Sequence, residues 1–241
     1  FGLQKNWFLA YHKKEYRDQP ILHQVTGHYL GGQDWYNEKL NHMVESYSLT
    51  IDDVVSLRKN FMAIDIGKES VIDIMQVFTF HGEKPGLRFG PWFMHLIESR
   101  LDDRMDFGEY VCLICSVACM QKNEVHRWIY KCIDSEATGF LEKDKFEELC
   151  GILMDEEVTG YHTRDAVALW AHPHLGGKKD NNQDGKVVMY YPEFCKLITS
   201  FTALVYPVFR VQDKFRESNL GRNYWARKLR AFTAMRKNLK L

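Results

Sequence analysis

From Thr50 onward the chain alternates between apolar stripes at helical spacing and short acidic stretches. Val54, Leu57 and Phe61 recur at three- and four-residue intervals, the pattern of a helix with one buried side. Thr50, with Asp53 three residues on, supplies an N-cap for it. Asp65 then opens a polar loop, Ile72 interrupts the loop with an apolar side chain, and Val77 reopens a helical face. A second unit starts at Pro91, a good first-turn residue, and runs through Trp92, Phe93 and Leu96. Its exit helix is marked by Met105, Phe107, Glu109 and Tyr110. After a polar joint over 121–124, a third unit carries Trp128, a loop opening at Asp134, and Phe146 on its exit helix. The fourth is less regular. Its entering helix is expected over 163–172, Pro173 and Gly176-Gly177 break it, and the exit begins at Glu193-Phe194. The pattern predicts four helix–loop–helix units spaced as two pairs, over 49–121 and 122–203.

The third loop is the most regular. Asp134, Glu136 and Thr138 put oxygen side chains at its first, third and fifth places, Gly139 takes the sixth, and Leu141 the eighth. In this register the units resemble the EF-hand superfamily, in the two-lobed arrangement of calmodulin and calcineurin B. The resemblance implies an all-α fold of helix pairs bridged by short two-stranded contacts, here Ile72 with Met105 and Leu141 with Met189. An active hand of this kind takes calcium through oxygens at those early places, with a turn Gly at the sixth and a bidentate Glu at the twelfth.

This chain departs from that pattern in each loop. The twelfth place of the third loop is Lys145, which has three donors and no acceptor. In the first loop Gly67 replaces a ligand, Ser70 the turn Gly and Gln76 the closing Glu. Counting back from Glu109 puts Glu98, Arg100 and Asp102 at the early ligand places of the second, with no turn Gly. The fourth loop begins well with Asp180, Asn182, Asp184 and Gly185. Tyr191 then stands at the twelfth place, and Glu193 lies beyond it. No cofactor is required. Calcium is a candidate only at the fourth loop, held by Asp180, Asn182, Asp184, the Lys186 carbonyl and Glu193, in the roughly 10⁻⁴ M class or weaker. An ordinary acidic turn is the competing reading.

Flanking segments extend the core at both ends. Residues 1–48 are rich in aromatics and His, with a turn at Gly31-Gly32 and a helix after Asp34 carrying Trp35, Leu40 and Met43. They read as an arm that packs on the rest or on another subunit. Residues 204–241 read as a helical extension. Val208, Val211 and Phe215 share one side, and Leu220-Gly221 marks a stop. From Arg222 the chain carries Arg222, Arg227, Lys228, Arg230, Arg236, Lys237 and Lys240 with no acidic residue. Trp225, Leu229, Phe232 and Met235 recur through that stretch at helical spacing. Such a helix can bind an acidic protein groove, an anionic membrane surface or RNA, or pack its apolar side on its own lobes. Trp225, Leu229, Arg230 and Phe232 are the candidate partner-binding residues.

Composition narrows the function. In 241 residues, 32 Lys and Arg balance 32 Asp and Glu, which excludes a surface built throughout for nucleic acid. Cys112, Cys115 and Cys119 lie on an apolar helical run without a second Cys/His pair, so buried thiols are expected, and reduced cysteines imply an intracellular protein. The longest apolar run, over 110–120, is too short to span a bilayer. There is no P-loop, GxSxG or HExxH, and His172 and His174 lack further ligands at zinc spacing. The expectation is a non-catalytic structural subunit of a larger protein complex, largely independent of calcium. The alternative is a calcium sensor switching through the fourth loop. Axonemal or other cytoskeletal complexes of a cilium or flagellum, and mitochondrial assemblies, are its candidate homes.

Overall fold

Helices form where apolar stripes follow a residue able to cap them. The computed structural model describes residues 38–83, 87–99, 103–153, 165–180 and 185–238, and the chain is mostly helical with small sheets. It divides into two compact units. The first comprises Phe1–Glu83, Phe93–Cys119 and Phe215–Leu241, and the second Lys84–Trp92 and Met120–Lys214.

In the first unit, α1 (Glu38–Ser46) is followed by α2 (Ile51–Ile64). The expected cap is formed reciprocally: the Asp53 amide donates to Thr50 Oγ1 at 3.2 Å, and the Thr50 amide to Asp53 Oδ2 at 2.8 Å. A loop leads to β1 (Ile72–Asp73) and α3 (Ile74–Phe80). Helix α4 (Gly90–Ile97), whose residues from Phe93 belong here, precedes β2 (Arg104–Met105) and α5 (Phe107–Cys119). The two strands pair antiparallel, with Ile72 opposite Met105 and Asp73 opposite Arg104.

Helix α5 is apolar nearly all round and is buried at every position except Cys112 and Ser116. A helix of that composition needs partners on several sides. Helices α1, α2 and the last helix, defined below, all pack on it. Phe61 meets Phe107 and Tyr110 edge to face at 5.6 and 5.7 Å, and Phe78 meets Phe93 at 5.5 Å. Each such ring, fully buried, contributes about 1.5–3 kcal/mol.

In the second unit, α6 (Lys122–Ile133), β3 (Phe140–Leu141) and α7 (Lys143–Leu153) form the third helix–loop–helix. Helix α8 (Asp165–Trp170) leads into β4 (Lys178–Lys179), β5 (Val187–Tyr190) and α9 (Tyr191–Ser200). The strands make an antiparallel sheet in the order β3-β5-β4, with Leu141 opposite Met189. Strand β4 was not expected: Lys178 pairs with Val188 and Lys179 with Val187, so a hairpin follows the expected helix break at Pro173 and Gly176-Gly177. The turn before it explains the two glycines. A Cβ on Gly176 would lie 2.0 Å from the Trp170 carbonyl oxygen, and one on Gly177 would lie 2.6 Å from the Trp170 ring.

A 3₁₀ turn (Thr202–Val205) then joins α10 (Tyr206–Ser218), which belongs to the second unit up to Lys214 and to the first from Phe215. Leu220 and Gly221, at φ 66° and 87°, end it in the left-handed region, as the expected stop requires. Helix α11 (Arg222–Asn238) completes the first unit. Helix α1 also belongs to that unit, with Leu40, Met43 and Tyr47 buried. Trp35 and the turn at Gly31-Gly32 lie outside the described residues. Among the described residues no single helix is long and apolar enough to cross a membrane.

Candidate functional site

The first and third loops have the same internal wiring. In the third, Asp134 Oδ1 accepts from the Thr138 amide at 2.8 Å and Oδ2 from the Gly139 amide at 2.9 Å. In the first, Asp65 Oδ1 accepts from the Glu69 amide and Oδ2 from the Ser70 amide, both at 2.9 Å. Each loop has left-handed residues at its fourth and sixth places: Ala137 and Gly139 at φ 55° and 86°, and Lys68 and Ser70 at 55° and 62°. Ser70 therefore holds, at some conformational cost, a turn for which Gly is better suited. One carboxylate at the loop's entrance thus folds the backbone over itself in both.

The closing positions serve other purposes. Gln76 Oε1 accepts from the Asp73 amide at 2.8 Å while Asp73 Oδ1 accepts from the Gln76 amide at 2.7 Å, which caps α3. Lys145 Nζ donates to Glu148 Oε2 at 3.2 Å, and that bond raises the ammonium pKa. In the second loop Glu109 is fully buried, accepting from the Asp106 amide at 3.2 Å and lying 3.3 Å from Ser99 Oγ. Glu98 sits at φ 49°, and Arg100 and Asp102 lie outside the described residues. Tyr130 bridges the third loop and β5, its hydroxyl directed at the Gly139 and Met189 carbonyls at 2.9 and 3.2 Å. Burial first, then the neighbouring Asp134 carboxylate, pushes that phenol upward, so it stays a donor.

The candidate calcium ligands of the fourth loop fall as follows. Asp180 Oδ2 accepts from the Tyr190 hydroxyl, and the Asp180 amide donates to the Lys186 carbonyl at 3.0 Å. Glu193 lies 3.6 Å from Lys178 Nζ, and Lys186 Nζ pairs with Glu142 at 3.2 Å. Asn182 and Asp184 lie outside the described residues. Among the described residues no group of three or more His, Cys, Asp or Glu is arranged to hold a metal ion. His172 belongs to the preceding turn, where its Nδ1 accepts from the His174 and Leu175 amides at 3.3 Å each.

The candidate partner-binding residues of α11 divide between two sides. Trp225 is only 1% exposed, and its Nε1–H donates to the Asn219 carbonyl. That places it in its own unit's core, as in the reading in which the helix packs its apolar side on its own chain. Phe232 is half-buried and meets Tyr47 edge to face at 5.1 Å, Leu229 is half-buried, and Arg230 is exposed. Two neighbours not singled out in the sequence pin the helix. Tyr224 donates to Asp53 Oδ2 at 2.8 Å, and Lys228 Nζ donates to the Tyr47 and Ser48 carbonyls at 2.8 Å each. A cation on the carbonyls at the end of α1 also favours that helix's dipole.

A buried polar network just before α11 was likewise missed. Asn219 Oδ1 accepts from Tyr110 at 2.8 Å and from Asn60 Nδ2 at 2.9 Å, and its own Nδ2 donates to the Phe215 carbonyl at 3.1 Å. Beside it, His81 Nδ1 lies 2.6 Å from Ser218 Oγ, with the rings of Phe80 and Phe215 at 5.1 and 5.0 Å. The only trace in the sequence is an Asn at a helix end. The six cysteines are free thiols, and burial pushes Cys115 far upward and Cys132 and Cys150 up to about 12, which makes them poor nucleophiles. Compared with models of known protein families, the chain matches none.

Proposed function

We propose that this chain is a non-catalytic, EF-hand-like structural subunit, built from four degenerate hands in two pairs, which docks in a larger intracellular assembly without needing calcium. One observation carries this reading. The Asp65 and Asp134 loops keep a hand-like course by accepting their own backbone amides, while Gln76 and Lys145 occupy the places where a calcium ligand would close the ring. The strand pairs at Ile72–Met105 and Leu141–Met189 agree with paired hands. Buried free cysteines suit an intracellular home, in a cytoskeletal complex of a cilium or flagellum or in a mitochondrial assembly.

The rival is a sensor that switches through the fourth loop. To close there, an ion must displace Lys178 from Glu193 and the Tyr190 hydroxyl from Asp180. Fractionation of the full chain with its native complex, in calcium and in excess chelator, separates the two. The scaffold reading expects the same co-fractionation in both. Release by the chelator would put the sensor reading in its place.

A further inference from the structure

The outward side of α11 is explained by neither the loops nor the core. Its inward side is occupied: Trp225 is buried, Tyr224 and Lys228 are bonded, and Phe232 lies against Tyr47. Outward stand Asn223, Ala226, Arg227 and Arg230, all exposed. Among the described residues neither Arg227 nor Arg230 has an ion-pair or hydrogen-bond partner. At the start of the same helix, Arg222 already holds a carboxylate, that of Glu217 at 3.0 Å. Lys228 is a point charge on two carbonyls, whereas the exposed Arg227 and Arg230 carry planar forks that fit carboxylates two bonds at a time.

We propose that this arginine face docks an acidic polypeptide segment, rich in Asp and Glu, of the chain's assembly partner. The proposal rests on the docked-subunit reading and names the chemistry of its partner. Other anionic partners fit less well. A helix that lies in a membrane surface needs a free apolar side, and here that side is already turned into the first unit. Single-stranded RNA is held by stacking on exposed aromatics, and Trp225 is buried while Tyr224 and Phe232 are half-buried. Carboxylates need only the forks, with Ala226 leaving room for close approach.

The test uses the full chain and a fluorescently labelled poly-glutamate peptide, read by anisotropy at fixed salt. Binding should weaken about ten- to a hundredfold in Arg227→Gln/Arg230→Gln and be lost in Arg227→Glu/Arg230→Glu. Arg227→Lys/Arg230→Lys should recover only part of it, because charge returns without the fork. All three should melt with the parent, since both residues are exposed. Unchanged binding in the Glu variant overturns the proposal. So does a parent that prefers phosphatidylserine vesicles or an RNA strand to the peptide at the same salt. Either result leaves the docked-subunit reading standing, because that reading fails separately, on release of the full chain from its assembly by a calcium chelator.

Discussion

Truncating Trp225 to Ala asks whether α11 belongs to the fold or waits for a partner. Trp225 is 1% exposed, and its indole N–H is the donor to the Asn219 carbonyl, next to the Asn219 side-chain network. Replacing a buried aromatic of this size by Ala costs about 3–5 kcal/mol through lost transfer energy and the cavity left behind. Against a total of about 5–15 kcal/mol for a domain, that brings the first unit close to unfolding. Urea denaturation of the full chain, followed by far-ultraviolet circular dichroism, measures it. With a slope of about 2 kcal/mol/M the midpoint falls by about 1.5–2.5 M. If two transitions are resolved, only one should move. Arg230→Ala, on the exposed side, serves as control and should change stability by under about 0.5 kcal/mol. Trp225→Phe keeps a ring and loses the N–H, and should fall between the two. A midpoint shift below about 0.3 M in Trp225→Ala would refute the reasoning, since a free anchor is what such indifference describes.

Three other outcomes follow from particular contacts. Lys145→Glu should create calcium binding in the third loop, where Asp134, Glu136 and Thr138 already stand in order, and calorimetry should show heat absent from the parent. No heat in either protein would mean those oxygens do not converge. Lys228→Met should cost about 1–3 kcal/mol in urea, because two carbonyls lose a charged donor and methionine keeps the apolar stem. A change within error would place Lys228 in solvent. His126 is buried against Phe209, its Nε2 has no partner among the described residues, and burial first, then Lys122, lowers its pKa. Its stability contribution is therefore complete above the unfolded value of about 6.5 and is lost as pH falls below it towards the folded value. His126→Phe should flatten that part of the acid limb, and an unchanged slope below pH 6.5 would contradict it.

The parts legible in the sequence are those set by local spacing. Val54, Leu57 and Phe61 announced α2, and the reciprocal pair Thr50 and Asp53 announced its start, because both signals lie within one or two helical turns. The strand contacts at Ile72 and Met105, and at Leu141 and Met189, were legible only through the resemblance to EF-hand pairs, which implies them. What escaped depends on residues far apart. Lys228 reaches the Tyr47 carbonyl across 181 positions, and Asn60 reaches Asn219 across 159. Nothing local distinguishes Lys228 from the other basic residues of α11. The direction of Trp225 escaped for a similar reason: an amphipathic stripe shows that one side is apolar, not whose core it enters. The hairpin of β4 and β5 escaped because Gly176 and Gly177 looked like a helix breaker. Their role is to let the backbone pass against Trp170.

These contacts also bound what calcium could contribute. In the first and third loops an aspartate at the entrance folds the loop onto its own amides. In the first unit α11 pins the turn between α1 and α2 through Lys228 and Tyr224. In the second the hairpin and Tyr130 hold the paired loops. Every one of these closures is made by the chain itself. An ion bound at the fourth loop in the roughly 10⁻⁴ M class would add RT ln(1 + [Ca]/Kd), about 1.4 kcal/mol at millimolar calcium and under about 0.01 kcal/mol at micromolar. A switch needs differential binding of several kcal/mol to move a population from one state to the other. At micromolar calcium the fourth loop falls short of that by more than two orders of magnitude, so a site of this strength could be occupied in a test tube and still switch nothing.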